Sequence, residues 1–171
     1  VTGRKVEATA APMFKKLSLE LGGKNPTIVF ADADFDKAVS GAVRAGFTNQ
    51  GQVCLCGSRI LVERSIFDDF AKSFAEQVSA MKVGDPSHPD TEVGALVSTG
   101  HREKVEGYIA LGREEGGTIL AGGKRPKLGG ALEEGAFLEP TVISGLEPDC
   151  RTATEEIFGP AERPPALEDV K

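Results

Sequence analysis

The chain has 171 residues, 40% of them hydrophobic, with a formal net charge of −6 and a pI of about 5.1. Its lysines and arginines are scattered, which argues against a nucleic-acid-binding protein and against attraction to an anionic membrane. There is no long apolar run, the first residues lack the layout of a signal peptide, and the three cysteines lack the spacing of a disulfide framework. We therefore expect one main folded unit in a cytoplasmic protein.

Strands and helices are predicted to alternate along the chain. Lys16–Leu21 alternates polar and apolar side chains, which is typical of a half-buried strand, and Gly22–Gly23 forms a turn after it. Further strands are predicted over residues 26–30, 59–62, 118–120 and 137–143, and helices after a cap at Asp32 or Asp34, after a cap at Ser65, and over residues 99–115. This alternation predicts an α/β fold with a mostly parallel sheet and helices on both faces.

Cys54 lies in a predicted loop, residues 48–57, and is the first candidate for chemistry. Backbone N–H groups in a loop can lower the pKa of a thiol, and the thiolate is a strong nucleophile. The alternative is a small buried hydrophobic residue. Cys56 allows a third interpretation, a metal or redox pair, but His88 and His101 lie far along the chain and resemble ordinary surface residues, so we expect no metal site.

Glu20 is the second candidate, because it ends a predicted strand beside Gly22–Gly23, where small residues allow a substrate to approach closely. A surface carboxylate at a strand end is the alternative. The two glycines and Lys24 do not form a phosphate-binding loop, because the earlier glycine of that motif and its Ser or Thr are missing. We therefore do not expect a nucleoside triphosphatase.

Three short segments resemble a known family. They are Leu19–Pro26 (LELGGKNP), Asn49–Cys54 (NQGQVC) and Glu155–Pro160 (EEIFGP). The first two closely resemble the active-site signatures of the aldehyde dehydrogenase superfamily, and the 34 residues from Glu20 to Cys54 match its spacing. The third resembles the family's cofactor-contacting segment. The stretch Cys-Leu-Cys-Gly-Ser-Arg at 54–59 is similar to the branch that oxidises 2-aminomuconate and hydroxymuconate semialdehydes.

The resemblance implies a role for each candidate residue. Cys54 would attack a small-molecule aldehyde to give a thiohemiacetal, which would lose hydride to NAD, or to NADP, and become a thioester. Glu20 would act as the general base that activates water for hydrolysis, which releases a carboxylic acid. Glu156, Phe158 and Leu21 would contact the cofactor, and the backbone N–H of Cys54 would donate to the oxyanion.

The resemblance also implies a division of the chain. Residues 1–20 would end the cofactor-binding domain, residues 21–160 would form a partial catalytic domain, and residues 161–171 would be a divergent, frayed tail. We expect a truncated chain that lacks the family's asparagine oxyanion donor and the strand through which its members form homo-oligomers. Two alternatives therefore stay open: a noncatalytic remnant that acts as a binding or oligomerisation module, and a chain with residual thioesterase or esterase activity.

Overall fold

The computed structural model describes residues 2–164 and 166–167. It contains five α-helices and six strands in this described part of the chain. The helices are α1 (Thr2–Ala10), α2 (Phe35–Phe47), α3 (Phe67–Ala80), α4 (Thr99–Glu114) and α5 (Arg151–Thr154). The strands are β1 (Pro26–Val29), β2 (Arg59–Glu63), β3 (Thr118–Ala121), β4 (Thr141–Ser144), β5 (Ala161–Glu162) and β6 (Ala166–Leu167). Within residues 2–164 and 166–167, no helix is long and apolar enough to span a membrane.

The strands form two three-stranded sheets. In the first, the order is β1-β2-β6 and both pairings are parallel. In the second, the order is β3-β4-β5, with β3 antiparallel and β5 parallel to β4. Three of the four pairings are therefore parallel, which confirms the predicted α/β class with its mostly parallel strands.

The chain after β4 connects the two sheets. Ala161 pairs with Thr141 in the second sheet, and two residues later the carbonyl of Arg163 accepts a hydrogen bond of 2.9 Å from Ile60 N in the first sheet. Residues 161–164 are buried, which differs from the frayed tail that we expected there. Residue 165 and residues 168–171 of that predicted tail lie outside the described residues.

The main hydrophobic core lies between the first sheet and helices α2 and α3. Val39 and Phe47 of α2 pack in one cluster with Phe70, Phe74 and Val78 of α3, all of them almost fully buried. The Phe70 and Phe74 rings are stacked with their centres 5.9 Å apart. Apolar residues four positions apart thus form the inward face of each helix.

Two local predictions need correction. Lys16–Leu21 is not a strand: it runs as an irregular, mostly exposed segment, because alternation produces a strand only where a neighbouring strand supplies backbone hydrogen bonds. Ser65 is not the cap of α3, since a 3₁₀ turn over residues 64–66 precedes that helix and the Ser65 hydroxyl donates to Glu63. Asp34 does cap α2, where its carboxylate accepts a hydrogen bond of 3.3 Å from Lys37 N.

Replacement of Phe74 by alanine should lower the free energy of unfolding by about 3–5 kcal/mol, because a fully buried aromatic ring leaves a cavity in the core. Chemical denaturation measures this loss. Phe14→Ala is the matched control: Phe14 is 98% exposed, so its change should stay within about 0.5 kcal/mol. Equal losses in both variants would contradict the assigned core.

Candidate functional site

Cys54 lies at the tip of a tight turn. The amide of Cys56 donates a hydrogen bond of 2.9 Å to the carbonyl of Val53, so Cys54 and Leu55 occupy the two central positions. Both central residues are exposed, and Leu55 is 80% exposed. The turn therefore presents the Cys54 side chain to an incoming molecule, which rules out the alternative of a buried hydrophobic residue.

The approach to this turn has an unusual backbone. Asn49, Gln50 and Gly51 all have positive φ values, of 51°, 57° and 67°. Gly51 is required for a second reason: a Cβ there would lie 2.5 Å from the carbonyl oxygen of Gly159. The second signature segment is therefore in direct backbone contact with the third.

Asn25 joins the first signature segment to the nucleophile turn. Its side-chain Nδ2 donates hydrogen bonds of 2.8 Å to the carbonyl of Cys54 and 3.3 Å to the carbonyl of Cys56. Its own carbonyl accepts a hydrogen bond of 3.1 Å from Arg59 N, where β1 and β2 meet. One side chain thus ties both ends of the Cys54–Cys56 segment to the start of the first sheet.

Glu20 and Leu21 lie on the irregular segment before Asn25, and both are exposed. Within residues 2–164, the Glu20 carboxylate makes no hydrogen bond or ion pair. Leu21 packs against Gly3 of α1, because a Cβ on Gly3 would lie 3.0 Å from the Leu21 side chain. The Glu20 carboxylate oxygens are therefore accessible to solvent.

Glu156 contacts the two glycines that follow Glu20. Its carboxylate accepts a hydrogen bond of 3.1 Å from Gly23 N, and a Cβ on Gly22 would overlap the same carboxylate. Glu156 itself is exposed. The sequence predicted roles for Glu20 and Glu156 separately, and the structure brings their two segments together.

Phe158 is held by α4, a relation that the sequence did not predict. The His101 ring nitrogen Nε2 lies 2.6 Å from the Phe158 carbonyl, and the two rings meet edge to face at 6.2 Å. Lys104, one turn later, donates a hydrogen bond of 3.1 Å to the carbonyl of Ile157. The Phe158 backbone has a φ of 61°, and its side chain remains 37% exposed. His101, expected to be an ordinary surface residue, therefore positions the predicted cofactor-contacting aromatic ring.

Cys56 has a different environment from Cys54. It is buried, and its Sγ donates to the carbonyls of Gly46 at 2.8 Å and Ala45 at 3.1 Å. Burial raises the pKa of Cys56 to about 12, and the nearby Glu162 carboxylate adds to this effect. Cys56 is therefore a protonated structural thiol near neutral pH, and of these two thiols Cys54 is the accessible one.

A buried carboxylate lies beneath the turn. Glu162 is 1% exposed, its Oε2 has no hydrogen-bond partner among the described atoms, and a Cβ on Gly46 would lie 2.8 Å from its Cγ. Burial raises the pKa of Glu162 well above its ordinary value, and the positive charge of Lys24 opposes this only in part. Burial also lowers the pKa of Lys24.

Asn25→Ala should reduce the free energy of unfolding by about 1–2 kcal/mol, because two loop carbonyls lose their shared donor. Asn25→Asp should cost more at neutral pH, since carboxylate oxygens would then face those carbonyls. Amide exchange over residues 53–57 should accelerate in both variants. Ser40→Ala, which removes an exposed hydrogen bond within α2, is the control and should leave that exchange unchanged. Unaltered exchange in Asn25→Ala would contradict the assigned role of Asn25 in holding the Cys54–Cys56 segment.

The contribution of Glu162 to the free energy of unfolding should fall as pH rises above the ordinary range of carboxyl groups. Its pKa is raised in the folded state, so folding favours the protonated form, and that stabilisation is lost as pH rises through the folded pKa. Glu162→Gln cannot titrate, so its stability should increase relative to the original chain with rising pH. Glu7→Gln, an exposed carboxylate on α1, should show no such divergence. Parallel curves for Glu162→Gln and the original chain would contradict the prediction.

Comparisons with known proteins agree with this geometry. The model of the aldehyde dehydrogenase family matches residues 1–161. A 2-aminomuconic 6-semialdehyde dehydrogenase of a Pseudomonas species is 51% identical over 93% of this chain and 32% of its own length. A 5-carboxymethyl-2-hydroxymuconate semialdehyde dehydrogenase of Escherichia coli is 48% identical over 93% of this chain and 34% of its own length. These relatives belong to the branch that the sequence predicted.

A solved structure agrees equally well with the fold. Betaine aldehyde dehydrogenase of Staphylococcus aureus, in complex with NAD+, superposes with a TM-score of 0.93 at 44% identity, over 98% of this chain and 33% of that chain. The chain thus spans about a third of the length of the relatives that it matches. The family match, the high identity and the fold lead to one conclusion: this chain belongs to the aldehyde dehydrogenase family.

Proposed function

We propose that this chain supplies the thiol, the general base and the nicotinamide side of a site that oxidises an aldehyde to a carboxylic acid with NAD. The observation that carries the proposal is that all three signature segments meet. Asn25 holds the Cys54 turn, Gly51 contacts Gly159, and Gly23 binds Glu156. Residues that are 133 positions apart in sequence thereby form one exposed surface.

Cys54 is the proposed nucleophile. Its thiolate attacks the aldehyde carbonyl to form a carbon–sulfur bond, and the carbonyl electrons move onto oxygen as a thiohemiacetal forms. The Cys54 backbone N–H is the proposed donor to that oxygen. The exposed position at the tip of a turn supports this role, because a carbonyl carbon can reach the sulfur without rearrangement of the core.

Glu20 is the proposed general base for the second half of the reaction. Its carboxylate accepts a proton from water as the water oxygen attacks the Cys54 thioester, and the thiolate leaves. The absence of a hydrogen bond or ion pair to Glu20 from residues 2–164 supports this role, since the carboxylate oxygens remain available to water. Gly22–Gly23 next to it leaves room for the substrate.

Glu156, Phe158 and Leu21 form the proposed cofactor side. The exposed Glu156 carboxylate suits a ribose hydroxyl, and the partly exposed Phe158 ring suits the face of a planar nicotinamide. When bound, NAD+ accepts a hydride from the substrate carbon. Solved relatives bound to NAD+ support NAD over NADP. His101 and Lys104 keep the segment around Phe158 in place.

The proposed substrate is a semialdehyde, and the proposed location is the cytoplasm. The semialdehyde names of several relatives support the substrate. We further propose that residues 1–20 belong to the cofactor-binding domain and residues 21–160 to the catalytic domain.

Esterase activity is the second candidate function, and the exposed Cys54 thiol favours it, because acyl transfer to sulfur needs no hydride acceptor. The same chemistry gives the test. With p-nitrophenyl acetate, Cys54 should displace p-nitrophenolate and become acetylated, and water should then release acetate. Absorbance reports the first step, and mass spectrometry of the Cys54 peptide reports the acetyl group.

Cys54→Ala should abolish both the p-nitrophenolate burst and the acetylation. Glu20→Gln should leave the burst unchanged and slow deacylation by about a hundredfold, a typical loss for a general base, so that acetyl-Cys54 accumulates. Glu7→Gln should behave like the original chain. Hydrolysis that persists in Cys54→Ala would show that the thiol is not the nucleophile, whereas rapid deacylation in Glu20→Gln would reject only the base. Formation of NADH from a semialdehyde is measured in parallel.

A further inference from the structure

An open cleft of about 300 Å³ borders the turn that carries Cys54. Val53, Leu55 and Cys56 line it from the turn, and Gly41 and Ala45 line it from α2, whereas Cys54 itself is outside the lining and lies between Val53 and Leu55. A volume of this size is at the lower end of small-molecule sites. The cleft is therefore large enough for a short-chain ligand next to the turn that carries Cys54.

Arg44 supplies the charge in this cleft. Of the described residues in the lining, Arg44 alone carries a formal charge, and its side chain is exposed. The Arg44 carbonyl accepts a hydrogen bond of 2.6 Å from the Thr48 hydroxyl, which fixes the backbone at the end of α2. Its guanidinium makes no hydrogen bond or ion pair with residues 2–164 and 166–167.

A free guanidinium in an otherwise uncharged cleft suits an anionic ligand. Its N–H donors form a planar fork that matches the two oxygens of a carboxylate. A neutral aldehyde gains nothing from this charge, and a cationic aldehyde is repelled by it. The neighbouring apolar side chains of Val53 and Leu55 suit the carbon chain between a carboxylate and a reacting carbonyl.

We propose that Arg44 binds the carboxylate of an aldehyde substrate and so makes the site selective for semialdehydes of carboxylic acids. This inference rests on the proposed function of Cys54. Arg44 also lies in the last turn of α2, where a cation is favourable for the helix dipole. That structural effect requires no ligand, and it does not distinguish an anionic reagent from a neutral one.

A matched pair of alkylating reagents tests the proposal on the chain itself. With either iodoacetate or iodoacetamide, the Cys54 thiolate displaces iodide from the CH₂ carbon and a thioether forms. The two reagents differ in that iodoacetate carries a carboxylate where iodoacetamide carries an amide. Mass spectrometry of the Cys54 peptide gives the rate constant for each reagent, and their ratio measures selectivity for the anion.

Arg44→Gln should lower the iodoacetate-to-iodoacetamide ratio at Cys54 about two- to fivefold, the range expected for one exposed ion pair. Added salt should reduce the ratio in the original chain and leave it unchanged in Arg44→Gln, because salt screens the attraction. Arg44→Lys should retain most of the preference. Arg4→Gln, which removes the same charge from exposed α1, is the control and should match the original chain.

An unchanged ratio in Arg44→Gln, or an equal fall in Arg4→Gln, would overturn the proposal. If the proposed function of Cys54 is wrong, Cys54 should react with iodoacetamide no faster than the partly exposed Cys150. The effect of Arg44 on the ratio of rate constants is measured independently of that result. A folded state is checked for every variant by its denaturation midpoint, so a loss of folding cannot be mistaken for a loss of selectivity.

Discussion

The site depends on the close backbone contact between Gly51 and Gly159. A Cβ on Gly51 would overlap the Gly159 carbonyl, so the nucleophile loop can approach the segment that contains Glu156 and Phe158 this closely only with glycine at position 51. Beyond this contact, Thr141 N donates to the Pro160 carbonyl at 2.8 Å, and the chain enters the second sheet. The position of Phe158 relative to Cys54 thus depends on this backbone contact together with the side chains of His101 and Asn25.

Regular periodicity made much of the fold predictable. Helices α2, α3 and α4 were evident because apolar residues recur on one helical face, and the buried strand at β1 was evident from a continuous apolar run. The prediction of a strand at Lys16–Leu21 was wrong because an alternating pattern does not indicate whether a partner strand is present. Burial of residues 161–164 could not be predicted either, since Glu162 and Arg163 are charged residues whose packing depends on distant elements.

The candidate site was predictable to the extent that its residues lie in short segments. Cys54, Glu20, Glu156 and Phe158 could be proposed as site residues from local motifs, but their contacts could not be predicted. His101 reaches Phe158 across 57 positions, and Lys104 reaches Ile157 across 53, so no local pattern indicates these pairs. The difference in exposure between Cys54 and Cys56 likewise follows from the tight turn, which exposes the first thiol and buries the second.

Residues 161–163 pair first with Thr141 in the second sheet and then with Ile60 in the first, and this connection also constrains how the protein is made. Arg163 pairs with Arg59 across 104 positions, and a pairing so distant in sequence forms slowly because a long loop must close first. While the ribosome is still synthesising the chain, β2 has β1 on one side and an open edge on the other until residue 163 emerges. The cysteine turn therefore exists early in synthesis, whereas its complete surroundings assemble late, and a newly made chain passes through a stage in which an exposed thiol lies beside an unpaired strand edge.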